Sequence, residues 1–153
     1  MSRDRGRPHV TLKRLEETAR FPARATSGSF GYDLATVGEE RIGSRETRLV
    51  PCGFQLAHDL PHDETGGLAM LVMPRSSLPI KWGLMMPNSI GLVDADYSGP
   101  LKVLVHNLTD RPVVVPPDTR IAQAVFVRVV HPLLDEVSEI DESRDRGGFG
   151  STG

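Results

Sequence analysis

Glycine and proline punctuate this sequence so regularly that no long helix has room to form. Fifteen glycines and twelve prolines are spread along 153 residues, and the intervals hold short, β-branched runs bounded by turn formers. That pattern predicts an all-β sandwich or barrel. Val10–Leu15 alternates and reads as a first strand, although Thr11–Arg20 also admits a short helix with Leu12, Leu15 and Ala19 on one face. The strand followed by an irregular segment is the favoured reading. A loop of small residues from Ala23 ends in a strand near Leu34, and Thr47–Leu56 is a strand with an irregular point at Pro51 and Gly53. Leu68–Met73 is wholly apolar, Leu101–Leu108 alternates, and Pro112–Val115 runs into a Pro-Pro-Asp-Thr turn. Arg120–Val130 is the strongest strand, apolar on both faces and therefore expected at the centre of a sheet.

The length suits one domain with a real core and is too short for two. Residues 1–8 are polar and charged, 9–140 carry the strand pattern, and 141–153 form a glycine-rich tail with one large apolar residue, Phe149. The composition of the tail is that of a flexible arm. A net charge of -2 argues against nucleic-acid binding, so a phosphate-bearing ligand must be held by a few local groups. The single cysteine, Cys52, excludes an intramolecular disulfide and a cysteine-rich zinc site. The N-terminus lacks the apolar core of a signal peptide, and the apolar stretch Ile121–Leu134 is broken by Gln123, Arg128, His131 and Pro132. A soluble, cytoplasmic protein with no membrane contact is the expectation.

Several stretches carry chemistry-bearing residues. In Asn88–Gly99, Asp94, Asp96 and Tyr97 cluster where the chain should reverse, between the apolar Ile90, Leu92 and Val93 and the turn Ser98-Gly99-Pro100. Two carboxylates and a phenol at a hairpin mouth suit a base that activates water beside a flat ligand, although Asp and Gly also form ordinary turns. Arg75-Ser76-Ser77 follows a strand and precedes a proline-bounded turn; the arginine, hydroxyls and free backbone N–H groups can hold phosphate, or make a salt bridge and a capped turn. Gln123, inside an apolar strand, either ties down a loop or faces a ligand. In Arg144–Thr152 the glycines free backbone N–H groups to wrap phosphate, and Phe149 can stack on a base. His58–Glu64 has metal-ligand residue types, but in a proline-broken stretch that reads as a solvated loop. His9, His106 and His131 are isolated, and Trp82 suits core or interface in a loop-to-strand region.

Five motifs in this order resemble the trimeric deoxyuridine triphosphatase (dUTP diphosphatase) family. They are Gly31-Tyr-Asp-Leu34; Pro74-Arg-Ser-Ser-Leu78; Asn88 through Gly99 with Gly-Leu-Val-Asp-Ala-Asp-Tyr at its centre; Arg120-Ile-Ala-Gln123; and Gly147-Gly-Phe-Gly-Ser-Thr-Gly153. The resemblance implies a jelly-roll-like β-barrel, a homotrimer with active sites between subunits, and a C-terminal arm that reaches over another subunit's site. It implies hydrolysis of dUTP to dUMP and pyrophosphate with Mg²⁺ on the triphosphate, which limits uracil incorporation into DNA and supplies dUMP for thymidylate synthesis. Carried over, it makes Asp94 the base for water attacking the α-phosphorus and sets Tyr97 against the deoxyribose. The backbone from Asn88 to Tyr97, Gly91 and Val93 included, would read the uracil edge. Arg75, Ser76, Ser77 and Gln123 would sit at the phosphates, with Asp33 supporting Arg75 or the metal's waters and no direct metal ligand. Phe149 would stack on uracil, and Arg144, Gly150, Ser151 and Thr152 would help cover the triphosphate.

The chain departs from the family at several points. Asp145 replaces the first glycine of the arm, so Arg146 competes with Arg144 for the phosphates. Asp118-Thr119 stands where a glycine and an acid are common, Ser77 and Pro79 replace small residues, and the loop around His58–Thr65 is a few residues longer. Two rival activities are a dCTP deaminase, whose family relies on a pocket glutamate absent from Asn88–Gly99, and a catalytically silent nucleotide-binding relative.

Overall fold

In the computed structural model, the described residues, 6–139, form eleven strands and one short helix. In chain order they are β1 (Leu12–Arg14), β2 (Tyr32–Ala35), β3 (Glu40–Ile42), β4 (Thr47–Leu56), β5 (His62–Asp63) and β6 (Gly66–Pro74). There follow α1 (Ser77–Trp82), β7 (Leu84–Met85), β8 (Gly91–Val93), β9 (Pro100–Asn107), β10 (Val113–Val115) and β11 (Arg120–Val130). All pairings are antiparallel. One sheet has the order β1-β4-β9-β7, and β10 and β3 make a two-stranded ribbon. The third sheet runs β2-β11-β6, with the short β5 and β8 side by side along the far edge of β6.

The period-two alternation that marked the strands also builds the core. Val50, Cys52, Phe54 and Leu56 of β4 point inward, as do Leu101, Val103 and Val105 of β9. They meet Leu68, Met70 and Val72 of β6 and Ala122 and Ala124 of β11 in a single apolar cluster. The all-β, jelly-roll-like expectation holds, with hydrogen bonds arranged as stacked sheets rather than one unbroken ring. No helix among the described residues is long and apolar enough to cross a membrane.

The irregular point of β4 is real. Its register against β9 shifts between Pro51 and Gln55, and Gly53 adopts φ 75°. A Cβ there would collide with Ala19, so only glycine lets the segment after β1 lie across β4. β1 itself pairs with Phe54–Leu56, which settles Thr11–Arg20 in favour of a strand and an irregular segment rather than a helix.

Three expectations need correction. Pro74–Pro79 does not end in a simple turn: Ser77–Trp82 is a helix with Ser76 at its N-cap. Pro79 is tolerated because it occupies the first turn, where no intrahelical N–H is required, and Trp82 therefore ends a helix. The His58–Gly67 excursion is not a free loop. Leu60 is fully buried, and its N–H donates to the Ala95 carbonyl at 2.8 Å, while His62–Asp63 pairs with Gly66–Gly67. Hydrogen bonds from the Thr65 hydroxyl and backbone hold the Asp63 carboxyl below its usual range. Finally, β11 is central in its sheet, yet its far end is not covered: Val130 is 79% exposed.

Candidate active site

Residues from three neighbouring strands meet at one end of the third sheet. Asp33 on β2 lies opposite Gln123 on β11, which lies opposite Met73 on β6. One residue beyond β6 is Arg75, whose backbone N–H donates to the Ile121 carbonyl at 3.3 Å. Asp33 is only 6% exposed. A carboxylate at that depth is costly unless paired, and here each oxygen has its own arginine. Arg75 Nη1 donates to Oδ1, and Arg120 Nη1 donates to Oδ2 at 3.1 Å. Two positive charges therefore share one negative one.

Gln123 is half-buried, and its Nε2 donates to the Pro74 carbonyl at 3.4 Å. Its Oε1 lies where a Cβ at Gly31 would be, so glycine at position 31 is what allows the amide to stand there. Gln123 thus ties down the start of the Pro74–Ser77 segment, the first of its two sequence alternatives, and it remains partly open to solvent. Ser76 is exposed, Ser77 is half-buried, and the Ser76 hydroxyl makes no capping bond to α1.

The second group of residues is elsewhere. β8 pairs with the middle of β6, Gly91 opposite Val72 and Val93 opposite Met70. Asn88 is exposed before it, with a tight Ser89 at φ 59° and the Ile90 N–H on the Asn88 carbonyl at 2.6 Å. After it the Tyr97 N–H donates to the Asp94 carbonyl at 3.2 Å, closing a turn, and the Tyr97 hydroxyl donates to the Pro100 carbonyl at 3.0 Å. Asp94, Asp96 and Tyr97 are all exposed, and Asp94 makes no ion pair among the described residues. The structure thus brings Asp33, Arg75 and Gln123 together, with Ser76 and Ser77 next in the chain. It gathers Asn88, Gly91, Val93, Asp94 and Tyr97 separately. Val93 lies opposite Met70, and Arg75 follows Met70 by five residues, about 17 Å of extended strand. Asp94 therefore stands well apart from Arg75 within one chain, whereas Gly91, opposite Val72, lies nearer. Arg144, Phe149, Gly150 and Ser151 lie outside the described residues.

A family model described as dUTPase matches residues 17–153. The chain belongs to the dUTPase family. The Shewanella oneidensis deoxyuridine 5'-triphosphate nucleotidohydrolase is 44% identical over 136 residues, covering 87% of this chain and 86% of that protein. The namesake from Chromobacterium violaceum is 44% identical over 149 residues, covering 94% and 96%. Among solved structures, the dUTPase from Streptococcus mutans aligns with a TM-score of 0.66 and 28% identity over 82% of this chain and 98% of that one. The Staphylococcus bacteriophage 80alpha dUTPase with dUPNHPP reaches a TM-score of 0.80 at 22% identity, over 95% and 98%, a likeness of fold.

Two residues of this dUTPase went unnoticed in sequence. Arg120 stood inside a quoted motif, but nothing local ties it to a carboxylate 87 positions away. Leu60 was hidden among histidines, acids and prolines, yet it fastens the long loop to Ala95, beside Asp94. Among the described residues no group of three or more histidine, cysteine, aspartate or glutamate side chains is placed to hold a metal.

Proposed function

We propose that this chain hydrolyses dUTP to dUMP and pyrophosphate in sites shared between copies of a homotrimer. The observation that carries the proposal is the separation of Asp94 from Arg75 along β6. A general base must come within hydrogen-bond reach of its water, and Asp94 stands too far from its own Arg75 to act on a phosphate held there. The Asp94 turn of one copy facing the arginine end of another removes the difficulty. Apolar residues left uncovered support such assembly: Leu92 is 62% exposed, and Leu133 and Leu134 are 94% and 90% exposed.

Asp94 takes the proton from a water as its oxygen bonds to the α-phosphorus, and the bond to the bridging oxygen breaks to release pyrophosphate. Arg75, Ser76, Ser77 and Gln123 hold the phosphates. Asp33 keeps Arg75 in place by an ion pair rather than by touching substrate. Backbone groups from Asn88 to Tyr97, at Gly91 and Val93 among others, read the uracil edge, and the Tyr97 ring, fixed through Pro100, packs against the deoxyribose and leaves no space for a 2′-hydroxyl. Arg144, Phe149, Gly150 and Ser151 close over the nucleotide and exclude water.

Mg²⁺ fits this donor set as a passenger of the triphosphate. Both Asp33 oxygens are held by arginines, so Asp33 would support the ion through its waters rather than bind it directly. When bound, the ion neutralises charge on the phosphates. The test is to incubate the protein with Mg²⁺ and each deoxynucleoside triphosphate, assaying pyrophosphate and ammonia separately. Pyrophosphate from dUTP alone, without ammonia, is expected. Ammonia from dCTP would establish the deaminase, and binding without product a silent relative.

A further inference from the structure

We infer that Leu60 is a positioning residue for hydrolysis, its loop keeping Asp94 in place to take a proton from water; this rests on the reading of Asp94 as the base. The Leu60 N–H donates to the Ala95 carbonyl at 2.8 Å. Ala95 is half-buried between the exposed Asp94 and Asp96. The turn has little else to steady it. The Tyr97 N–H on the Asp94 carbonyl and the Tyr97 hydroxyl on the Pro100 carbonyl both close within residues 94–100. Among the described residues, the bond from Leu60 is the one hydrogen bond that joins 94–98 to another segment of the chain.

The loop that delivers this N–H is itself fixed at both ends and across its neck. At its start the Ala57 N–H donates to the Thr11 carbonyl, and at its end the His131 N–H donates to the Thr65 carbonyl, each at 2.8 Å. Across the neck the Leu68 N–H reaches the Pro61 carbonyl, and β5 pairs with the start of β6. The Leu60 carbonyl accepts from His62 Nδ1 at 2.8 Å, so both backbone groups of Leu60 are engaged. Its side chain belongs to the apolar core, while His58, Asp59 and the residues from Pro61 to Thr65 are exposed. The leucine therefore sets the depth of the loop and, through its N–H, the place of the Ala95 carbonyl. Uracil reading does not share this dependence, because Gly91–Val93 is held by its ladder to Val72, Leu71 and Met70 of β6. Loosening Leu60 moves the base and leaves the nucleotide seated. An offset of about 1 Å in a reacting group can cost on the order of a hundredfold in rate.

The experiment is a double-mutant cycle on the full chain: Leu60→Ala, Asp94→Asn and both together, with Leu60→Met and Val115→Ala as controls. For each, kcat and KM for dUTP with Mg²⁺ are measured well below its unfolding temperature, with affinity for the non-hydrolysable imido analogue of dUTP. Expected for Leu60→Ala is a kcat lower by about tenfold or more, with KM and analogue affinity within about twofold of the unaltered protein. Leu60→Met keeps the volume and the N–H, so it should restore most of kcat. Val115→Ala empties an equally buried core position on β10, in another sheet, and should leave kcat unchanged. In the Asp94→Asn background Leu60→Ala should cost no more than about twofold, because the group it positions is already gone. Losses that multiply, analogue affinity that falls as far as kcat, or an equal fall in Val115→Ala would each overturn the inference. Where Leu60→Ala yields no folded protein, Leu60→Val decides in its place: a kcat lower by about threefold supports the inference and a parental kcat overturns it. Near-normal turnover by Asp94→Asn would remove the reading of Asp94 as the base, and this inference with it. A slow Asp94→Asn beside a parental Leu60→Ala would remove this inference alone.

Discussion

The arginine end of the third sheet and the Asp94 turn are built in opposite ways. At the arginine end, a buried carboxylate fixes two guanidiniums, three strands are in register, and a glycine makes room for Gln123. Asp33, Arg75, Arg120 and Gln123 each have a partner in the same chain. The Asp94 turn is not the hairpin mouth expected, since β8 pairs with β6 and β9 with β4 and β7. It rests on a three-residue edge strand, one turn, the Tyr97–Pro100 bond and the Leu60–Ala95 bond, and it leaves Asp94 exposed and unpaired among the described residues. On the proposed reading the arginines receive an anion, and charges with that task can be held permanently. On the proposed reading Asp94 is a base, and a base must keep its lone pairs for water, which an internal partner would occupy.

That contrast can be broken most sharply at its two carboxylates. Asp94→Asn should slow dUTP hydrolysis at least about a hundredfold while binding of a non-hydrolysable analogue persists. Its folding stability should stay within about 0.5 kcal/mol of the unaltered protein, because the side chain is exposed. Near-normal turnover would transfer the role to Asp96. Mixing refolded Asp94→Asn and Arg75→Ala chains, each inactive alone, should restore activity to about a quarter of the unaltered level if every site joins two copies at random. No recovery from the mixture would mean that each chain closes its own site.

Asp33→Asn is the reverse case. Removing the shared anion leaves two guanidiniums facing each other, and partial solvent screening limits the loss to about 2 kcal/mol in urea unfolding. Activity should fall as well, since Arg75 loses its anchor. A variant as stable as the parent would mean the ion pairs contribute nothing net. Tyr97→Ala has a smaller effect, read in selectivity: the ratio of kcat/KM for dUTP over UTP should shrink. An unchanged ratio in a variant that still turns over would place sugar selection elsewhere.

Cys52, deep between the sheets and away from both regions, reports the smallest change. Burial pushes its thiol up to about 12 from 9.0, so the native protein should resist alkylation at pH 8. The folded state holds this proton while an unfolded chain releases it. The corresponding stability is therefore intact below about pH 9 and is lost as pH rises toward 12. Alkylation should be as slow in Asp94→Asn as in the parent and faster in Asp33→Asn, whose framework opens more readily.

Much of the fold was legible along the chain because strands announce themselves locally. Alternation in Thr47–Leu56 and Leu101–Leu108, and the glycine that excuses the bulge at Gly53, are properties of neighbours in sequence. The five motifs were legible for the same reason, and they located Asp33, Arg75, Asp94, Tyr97 and Gln123 before any contact was known. Local pattern failed where two signals conflicted: Pro79 marked a turn, yet a proline in the first turn costs a helix nothing.

What only the tertiary structure decided is pairing across distance. Asp33 meets arginines 42 and 87 positions away, and Leu60 reaches Ala95 from inside a polar loop. No periodicity records such contacts, because they depend on which strands become neighbours, and that follows from burying all the apolar faces at once. The sequence by itself determined the strands and the chemistry-bearing residues. The packing of the sheets decided that Asp94 would stand far from the arginines of its own chain.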